Sequence, residues 1–321
     1  MSFIFLENQQ NPDFAIQVKD LSKSYPASKR RPAVSALKNI SLQIPRGSFF
    51  GLLGPNGAGK STLINILGQM VNKTSGQVEI WGIDQEKNPR AAASAIGIVP
   101  QELNMDPFFT PEKLLDLQAG LYGVPKKQRR TKEILAALNL SDKATSYARS
   151  LSGGMRRRLM VAKAMVHMPP ILVLDEPTAG VDIELRKQLW EYMVALNQQG
   201  VTILLTTHYL EEAQQLCDRI AIIHRGQITA NDTKKALLGK LDSKELIVRL
   251  GQPLSSIPPL LANLTPRLSG PQELRLVYKP SQTSMGEILQ KIQQAGLEIV
   301  DLSTIETSLE DIFISFTRDV A

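Results

Sequence analysis

The sequence predicts an α/β fold on a parallel sheet, with a helical subdomain and a small C-terminal α+β domain. Three observations carry this. The apolar run Phe49-Phe50-Gly51-Leu52-Leu53 opens into Gly54-Pro55-Asn56-Gly57-Ala58-Gly59-Lys60-Ser61-Thr62 and then into a helical stretch from Lys60 to Leu67. Ile171-Leu172-Val173-Leu174 and Val201-Thr202-Ile203-Leu204-Leu205 repeat the apolar run, with a helix over about 184–198 between them. Strand, helix, strand at that spacing is the unit of a parallel sheet, and an unbroken apolar strand is covered on both faces. After about residue 240 the texture shifts to short strands around Pro253, Pro258 and Pro259.

Along the chain, 14–24 and 40–45 are predicted strands separated by a basic, Pro-containing loop at 26–33. Gly76–Gly82 and Ile96–Val99 are further strands, the latter stopped by Pro100. From about 103 to 168 the pattern is helical. Thr110 caps one helix, with Pro111 at its first position, Glu112 in its first turn, and Leu114, Leu115 and Leu121 as apolar members. Gly123 and Pro125 end it, and a second helix spans about Gln128–Leu138. A third follows Ser152 and is apolar nearly all round through Val166, which predicts burial. The domains expected are therefore 1–239, with the helical subdomain at about 103–168, and 240–321. In the latter, Lys244–Leu250, Glu273–Tyr278 and Leu297–Leu302 read as strands. Met285, Ile288, Leu289 and Ile292 share a helical face, and Ser308 caps a last helix.

The run from Gly54 to Thr62 has the chemistry of a triphosphate-binding loop. Glycines at 54, 57 and 59 let backbone N–H groups turn toward phosphate oxygens, where the helix N-terminus adds partial positive charge. Lys60 reaches the β- and γ-phosphates, and the Ser61 hydroxyl can ligate Mg²⁺. Asp175, at the end of a buried strand, can hold Mg²⁺ through water, while Glu176 suits a general base or a polariser of the attacking water. Gln101 follows a strand and can touch Mg²⁺ or that water, and His208 can hydrogen-bond the γ-phosphate. Ser152-Gly153-Gly154 offers a second helix start suited to a phosphate.

Composition sets the bounds. Of 321 residues, 43% are hydrophobic and 21% charged, ample for a two-domain core. No apolar run approaches a membrane span, and Phe3-Ile4-Phe5-Leu6 is too short for a signal peptide. The single cysteine, Cys217, excludes an internal disulfide and fits a reducing cytosol. The net charge is +6, with clusters at Lys29-Arg30-Arg31, Lys126-Lys127-Gln128-Arg129-Arg130 and Arg156-Arg157-Arg158. Without interleaved aromatics these read as solvated faces, and no nucleic-acid partner is expected.

Together these motifs resemble the ATP-binding subunits of ATP-binding cassette (ABC) transporters over residues 15–238 or so. Tyr25 matches the aromatic that stacks on adenine, Gly54–Thr62 the Walker A loop and Gln101 the Q-loop glutamine. Leu151-Ser152-Gly153-Gly154-Met155 matches the signature, Ile171–Glu176 Walker B, Ala179-Gly180-Val181-Asp182 the D-loop and His208 the switch histidine. Ser308-Leu309-Glu310-Asp311-Ile312-Phe313 resembles the closing motif of bacterial ABC-2 type exporter ATPases. Two departures stand out: Met155 replaces a glutamine and loses its ribose contact, and Gly180 and Val181 alter the D-loop.

The resemblance implies a P-loop nucleoside triphosphatase of the ABC type that uses ATP and Mg²⁺. It implies a head-to-tail homodimer in which each ATP lies between one copy's Walker A loop and the other's Ser152–Gly154. It also implies a separate ABC-2 type membrane permease, most simply an exporter, engaged at the cytoplasmic face of the membrane. A ribosome- or nucleic-acid-directed ABC ATPase is the alternative. It fits less well, because a single Walker A loop is present and no coiled-coil or zinc module splits the cassette. A nucleotide-gated regulatory subunit would show damaged catalytic positions, whereas Glu176 and His208 are intact.

Overall fold

The computed structural model describes residues 12–27, 32–102, 105–178, 181–240, 244–306 and 308–317. The basic cluster Lys29-Arg30-Arg31 and the D-loop residues Ala179 and Gly180 lie outside them. The chain divides into two compact units, the first ending at Lys234 and the second beginning at Lys235.

The first unit opens with β1 (Phe14–Tyr25), β2 (Val34–Pro45), β3 (Phe49–Leu53), α1 (Lys60–Leu67), β4 (Ser75–Ile80), β5 (Ile83–Asp84), α2 (Pro89–Ser94) and β6 (Ile96–Val99). The helical segment α3 (Pro111–Leu121), α4 (Thr131–Ala137) and α5 (Gly153–Met165) follows. Then come β7 (Ile171–Asp175), α6 (Ile183–Gln198), β8 (Thr202–Thr207), α7 (Leu210–Leu216), β9 (Arg219–His224) and β10 (Gln227–Thr233). One sheet runs β10-β9-β3-β8-β7-β6, parallel except for β10. The other, β2-β1-β4-β5, is antiparallel. A single apolar core joins the two: Ile16, Leu42 and Ile80 of the antiparallel sheet, Leu63 and Ile64 of α1, and Phe50, Val173 and Leu204 of the parallel sheet.

Every residue of β3, β7 and β8 is buried, as their apolar runs require. Parallel register then brings Leu53 beside Thr207, Asp175 beside Thr206 and Val99 beside Leu174. The loops after β3, β6, β7 and β8 therefore leave the sheet at one edge, which is where open α/β sheets bind ligands.

The helical segment has its own core, built from Leu114, Leu115, Ile134, Leu135, Leu151, Leu159 and Ala162. The Thr110 hydroxyl accepts the Lys113 N–H (3.4 Å), capping α3 as expected, but Leu121 is exposed rather than part of this core. The second helix begins at Thr131, later than Gln128, because Lys126–Gln128 forms a separate 3₁₀ turn. Residues 209–239 carried no assigned element in the sequence pattern, yet α7, β9 and β10 lie there; β9 and β10 extend the parallel sheet past β3.

The expectation that Arg156-Arg157-Arg158 is a solvated face does not hold for two of the three. Arg157 and Arg158 are buried. Arg157 Nη1 donates to the carbonyls of Pro100 (3.1 Å) and Gln101 (2.9 Å). Arg158 Nη1 donates to Leu138 O (2.8 Å) and Asn139 O (3.3 Å), which occupies acceptors at the end of α4. Burial lowers both guanidinium pKa values, opposed for Arg157 by Asp175 and Glu176 and for Arg158 by Asp142. A cation on a helix buried nearly all round must find carbonyls, and these two do.

In the second unit, β12 (Arg267–Gly270), β13 (Glu273–Tyr278), β11 (Lys244–Leu250) and β14 (Ile299–Glu306) form an antiparallel sheet in that order. The helix α8 (Lys234–Lys240) leads into it, and α9 (Met285–Gln294) packs Ile288 and Ile292 against Leu246, Val248 and Leu276. The final helix, α10 (Leu309–Thr317), starts with a reciprocal cap: the Ser308 hydroxyl accepts the Asp311 N–H (3.3 Å), and Asp311 Oδ2 accepts the Ser308 N–H (3.0 Å).

His167, just past α5, is buried and stacks on Tyr122 with ring centroids 3.6 Å apart. Its Nε2 donates to Ile96 O (3.3 Å), while Nδ1 is buried without a partner. Burial pulls its pKa down to about 4, and the Ile96 bond only partly offsets this. Because the folded pKa lies below the unfolded value, the unfolded chain takes the proton first as pH falls. Stability is therefore lost between about pH 6.5 and 4, by roughly 3 kcal/mol. His167→Phe keeps the stack and should flatten the pH dependence of urea unfolding in that window; a slope matching the parent chain would contradict this.

Candidate active site

The loop from Gly54 to Gly59 is shaped by its neighbours. A Cβ on Gly54 would stand 2.3 Å from Ile223 O, and one on Gly59, where φ is +114°, would stand 2.7 Å from Ala36 O. Neither position admits a larger residue without moving backbone. Gly57 has φ +79° and open space around it. The helix α1 starts at Lys60 with no side-chain cap, unlike α3, α5 and α9, which Thr110, Ser152 and Ser284 cap. An anion is what a helix start attracts, and this start follows the glycine loop directly.

Lys60 is 5% exposed, and its ammonium donates to Gly54 O (2.6 Å) and Pro55 O (3.2 Å). Burial pulls its pKa down, while Glu176 and Asp175 hold it up. A buried cation held only by neutral carbonyls, with carboxylates nearby, fits a site that receives a phosphate.

Two other segments converge on Glu176, which is 9% exposed. Gln101 Nε2 donates to Glu176 Oε2 (3.0 Å), and His208 Nδ1 lies 3.2 Å from the same oxygen. Glu176 itself has φ +48°, the left-handed region, which costs a non-glycine residue about 1–3 kcal/mol. Its N–H donates to both the carbonyl and the hydroxyl of Thr206 (3.1 Å each), which fixes that backbone. The Thr206 hydroxyl also donates to Asp175 Oδ1 (2.5 Å). Thr206 orients both strand-end acids, and sequence inspection passed over it. Its only signal was a hydroxyl two residues before His208, in a strand that also carries Thr202 and Thr207.

A cleft of about 900 Å³ is lined by Tyr25, Asn56, Gly57, Gly59, Lys60, Ser61, Thr62, Gln101 and Glu176, with Arg225 and Gly226 added. Tyr25 is 37% exposed, with the Lys23 ammonium 4.7 Å above its ring. Ser152, Gly153 and Gly154 are not among the lining residues; Ser152 caps α5 by accepting the Met155 N–H (3.2 Å). Met155 packs partly buried against the helical core. Asp182 is exposed and also does not line the cleft.

A phosphate loop after β3 of a parallel sheet, with acids ending β7 on the far side of β8, defines a P-loop nucleoside triphosphatase. Comparison with known proteins gives the particular family. The model of the ABC transporter family matches residues 37–179. The chain is 37% identical over 234 residues to linearmycin resistance ATP-binding protein LnrL of Bacillus subtilis (strain 168), covering 72% of this chain and 73% of that one. It is 33% identical over 292 residues to Nod factor export ATP-binding protein I of Ralstonia nicotianae, covering 90% and 91%. Among solved structures, the dimeric post-hydrolysis state of the ATP-binding cassette MJ0796 bound to ADP and Pi aligns with a TM-score of 0.61. It is 28% identical and covers 68% of this chain and 98% of that one. The chain belongs to the ABC transporter family as an ATP-binding, ATP-hydrolysing protein.

Thr206→Val removes the hydroxyl and keeps the shape. Loss of its bonds to Asp175 and Glu176 should cost about 1–3 kcal/mol of stability, read as a lower urea midpoint with an unchanged slope. A midpoint equal to that of the parent chain would mean that the hydroxyl does not hold the two acids.

Proposed function

We propose that this chain is the motor subunit of an exporter: it hydrolyses ATP at the cytoplasmic face of a membrane and drives a separate ABC-2 type permease. The convergence of Gln101 and His208 on the Glu176 carboxylate, beside the Lys60 loop, supports the chemistry most directly. Exporter function is supported by the name of the Nod factor export relative. Among the described residues no helix is long and apolar enough to cross a membrane, and this reading assigns the path to the permease.

In this reading Tyr25 stacks on adenine, and the backbone of Gly54, Pro55, Asn56, Gly57, Ala58 and Gly59 wraps the phosphates. Lys60 and Thr62 complete that cradle. The donor set suits magnesium, with oxygen ligands from Ser61, Asp175 through water, and Gln101. When bound, the ion would neutralise charge on the phosphate oxygens. Glu176 takes a proton from water as that water attacks the γ-phosphorus. The bond to the bridging oxygen breaks, and ADP leaves with the electron pair. Gln101 orients the water, and His208 donates to the γ-phosphate.

The second anion-suited helix start is read as serving a second copy. Ser152, Gly153 and Gly154, which do not line the chain's own cleft, face the partner's γ-phosphate, and Asp182 meets the same interface. The likeness to a dimeric cassette supports this arrangement. Water is excluded as the halves close, and loss of the γ-phosphate lets them part.

Glu176→Gln should bind ATP and hydrolyse it ~10²–10⁴ times more slowly; near-normal turnover would remove Glu176 from the role of base. Mixing Lys60→Ala chains with Ser152→Arg chains should restore one composite site per heterodimer. No recovered ATPase activity in forced heterodimers would sink the shared site.

A further inference from the structure

Glu212, on α7, is 1% exposed, yet the chemistry above gives it no part. Its carboxylate gathers three neutral donors. Thr207 Oγ1 donates to Oε2 (2.5 Å), while Oε1 accepts from Trp190 Nε1 (3.0 Å) and from the Thr178 hydroxyl. Each donor comes from a different part of the site. Thr207 immediately precedes His208, and its hydroxyl also accepts the Tyr209 N–H (2.9 Å), so His208 is flanked by residues fixed through one oxygen. Thr178 lies two residues after Glu176. Trp190 belongs to α6, the helix that starts directly after Asp182.

We infer that Glu212 is a positioning residue for hydrolysis, a buried strut that holds the His208 segment and the Glu176 segment at a fixed separation. A carboxylate in the interior is expensive, and well-packed apolar side chains of similar volume would stabilise the same helix at least as well. What apolar packing cannot do is set the direction of two threonine hydroxyls. With three donors aimed at it, Glu212 forces the protons of Thr178 and Thr207 inward. The Thr207 lone pairs are then turned toward the Tyr209 N–H, which fixes the backbone on either side of His208. The His208–Glu176 distance of 3.2 Å depends on that backbone, and a shift near 1 Å would break the contact. Misplacements of that size cost on the order of 10²-fold in rate.

The inference rests on His208 and Glu176 acting together as proposed above, so the test is a double-mutant cycle on the full-length chain with Mg-ATP. Glu212→Ala should lower kcat by ~10–100-fold while moving KM for ATP by less than about threefold. Glu212→Gln, which keeps an oxygen for Thr178 and Trp190, should recover kcat to within about fivefold of the parent. In a His208→Ala background, adding Glu212→Ala should change kcat by less than about twofold, because the group being positioned is already gone. Equal losses with and without His208, or an unchanged kcat in Glu212→Ala, would overturn the strut. If Glu212→Ala does not fold, Thr178→Val enters the same cycle. A loss of kcat confined to the His208-containing background supports the strut, and any other pattern overturns it. A slow His208→Ala whose cycle is additive defeats this inference alone, whereas a normal kcat in His208→Ala defeats the role of His208 and the strut with it.

Discussion

Everything in the candidate site is arranged around the carboxylate of Glu176, and that carboxylate is where it is because of a backbone constraint. The residue leaves β7 in a left-handed conformation, held by two bonds from its N–H to Thr206. Strand pairing then does the rest. Because β7 and β8 are parallel neighbours, Asp175 lies beside Thr206, and His208 follows two residues later along the same edge. Gln101 enters from β6 on the other side of β7. Three loops remote in sequence meet at one oxygen because three buried strands fix where each loop begins.

Such a meeting point lends itself to coupling. Gln101 opens the segment that leads into the helices, and Arg157 of α5 holds the carbonyls of Pro100 and Gln101. The helix that begins with Ser152-Gly153-Gly154 is thereby tied directly to the glutamine that touches Glu176. A displacement of α5 and a change at the γ-phosphate would be felt through the same few bonds, a short physical route between nucleotide state and the helical segment.

Much of this was legible in the sequence because the residues obey local rules. The phosphate loop declares itself by glycine spacing between a strand and a helix. β3 and β7 were read to the residue from unbroken apolar runs, and Thr110, Ser152 and Ser308 marked helix starts through capping chemistry. Gln101, Glu176 and His208 were singled out by standing at strand ends and by matching the Q-loop, Walker B and switch positions, and the parallel register is what brings their side chains together. The misses have one cause in common. Thr206 and Arg157 matter through partners 30 to 57 positions away, and Glu212 joins nearby Thr207 to Thr178 and Trp190, 34 and 22 positions before it; nothing local in the sequence points to those distant partners. Read locally, three consecutive arginines look solvated. Only the burial of α5 on nearly every side turns two of them into staples for neighbouring carbonyls.

The central claim is that one chain holds the phosphates and the acid, and that a second copy completes the site. The most direct test is sedimentation of the Glu176→Gln chain with and without Mg-ATP, with bound nucleotide counted in each peak. The account requires a monomer without nucleotide and, with ATP, a dimer holding two ATP molecules that Ser152→Arg abolishes without removing nucleotide binding. A chain that stays monomeric while saturated with ATP would contradict it.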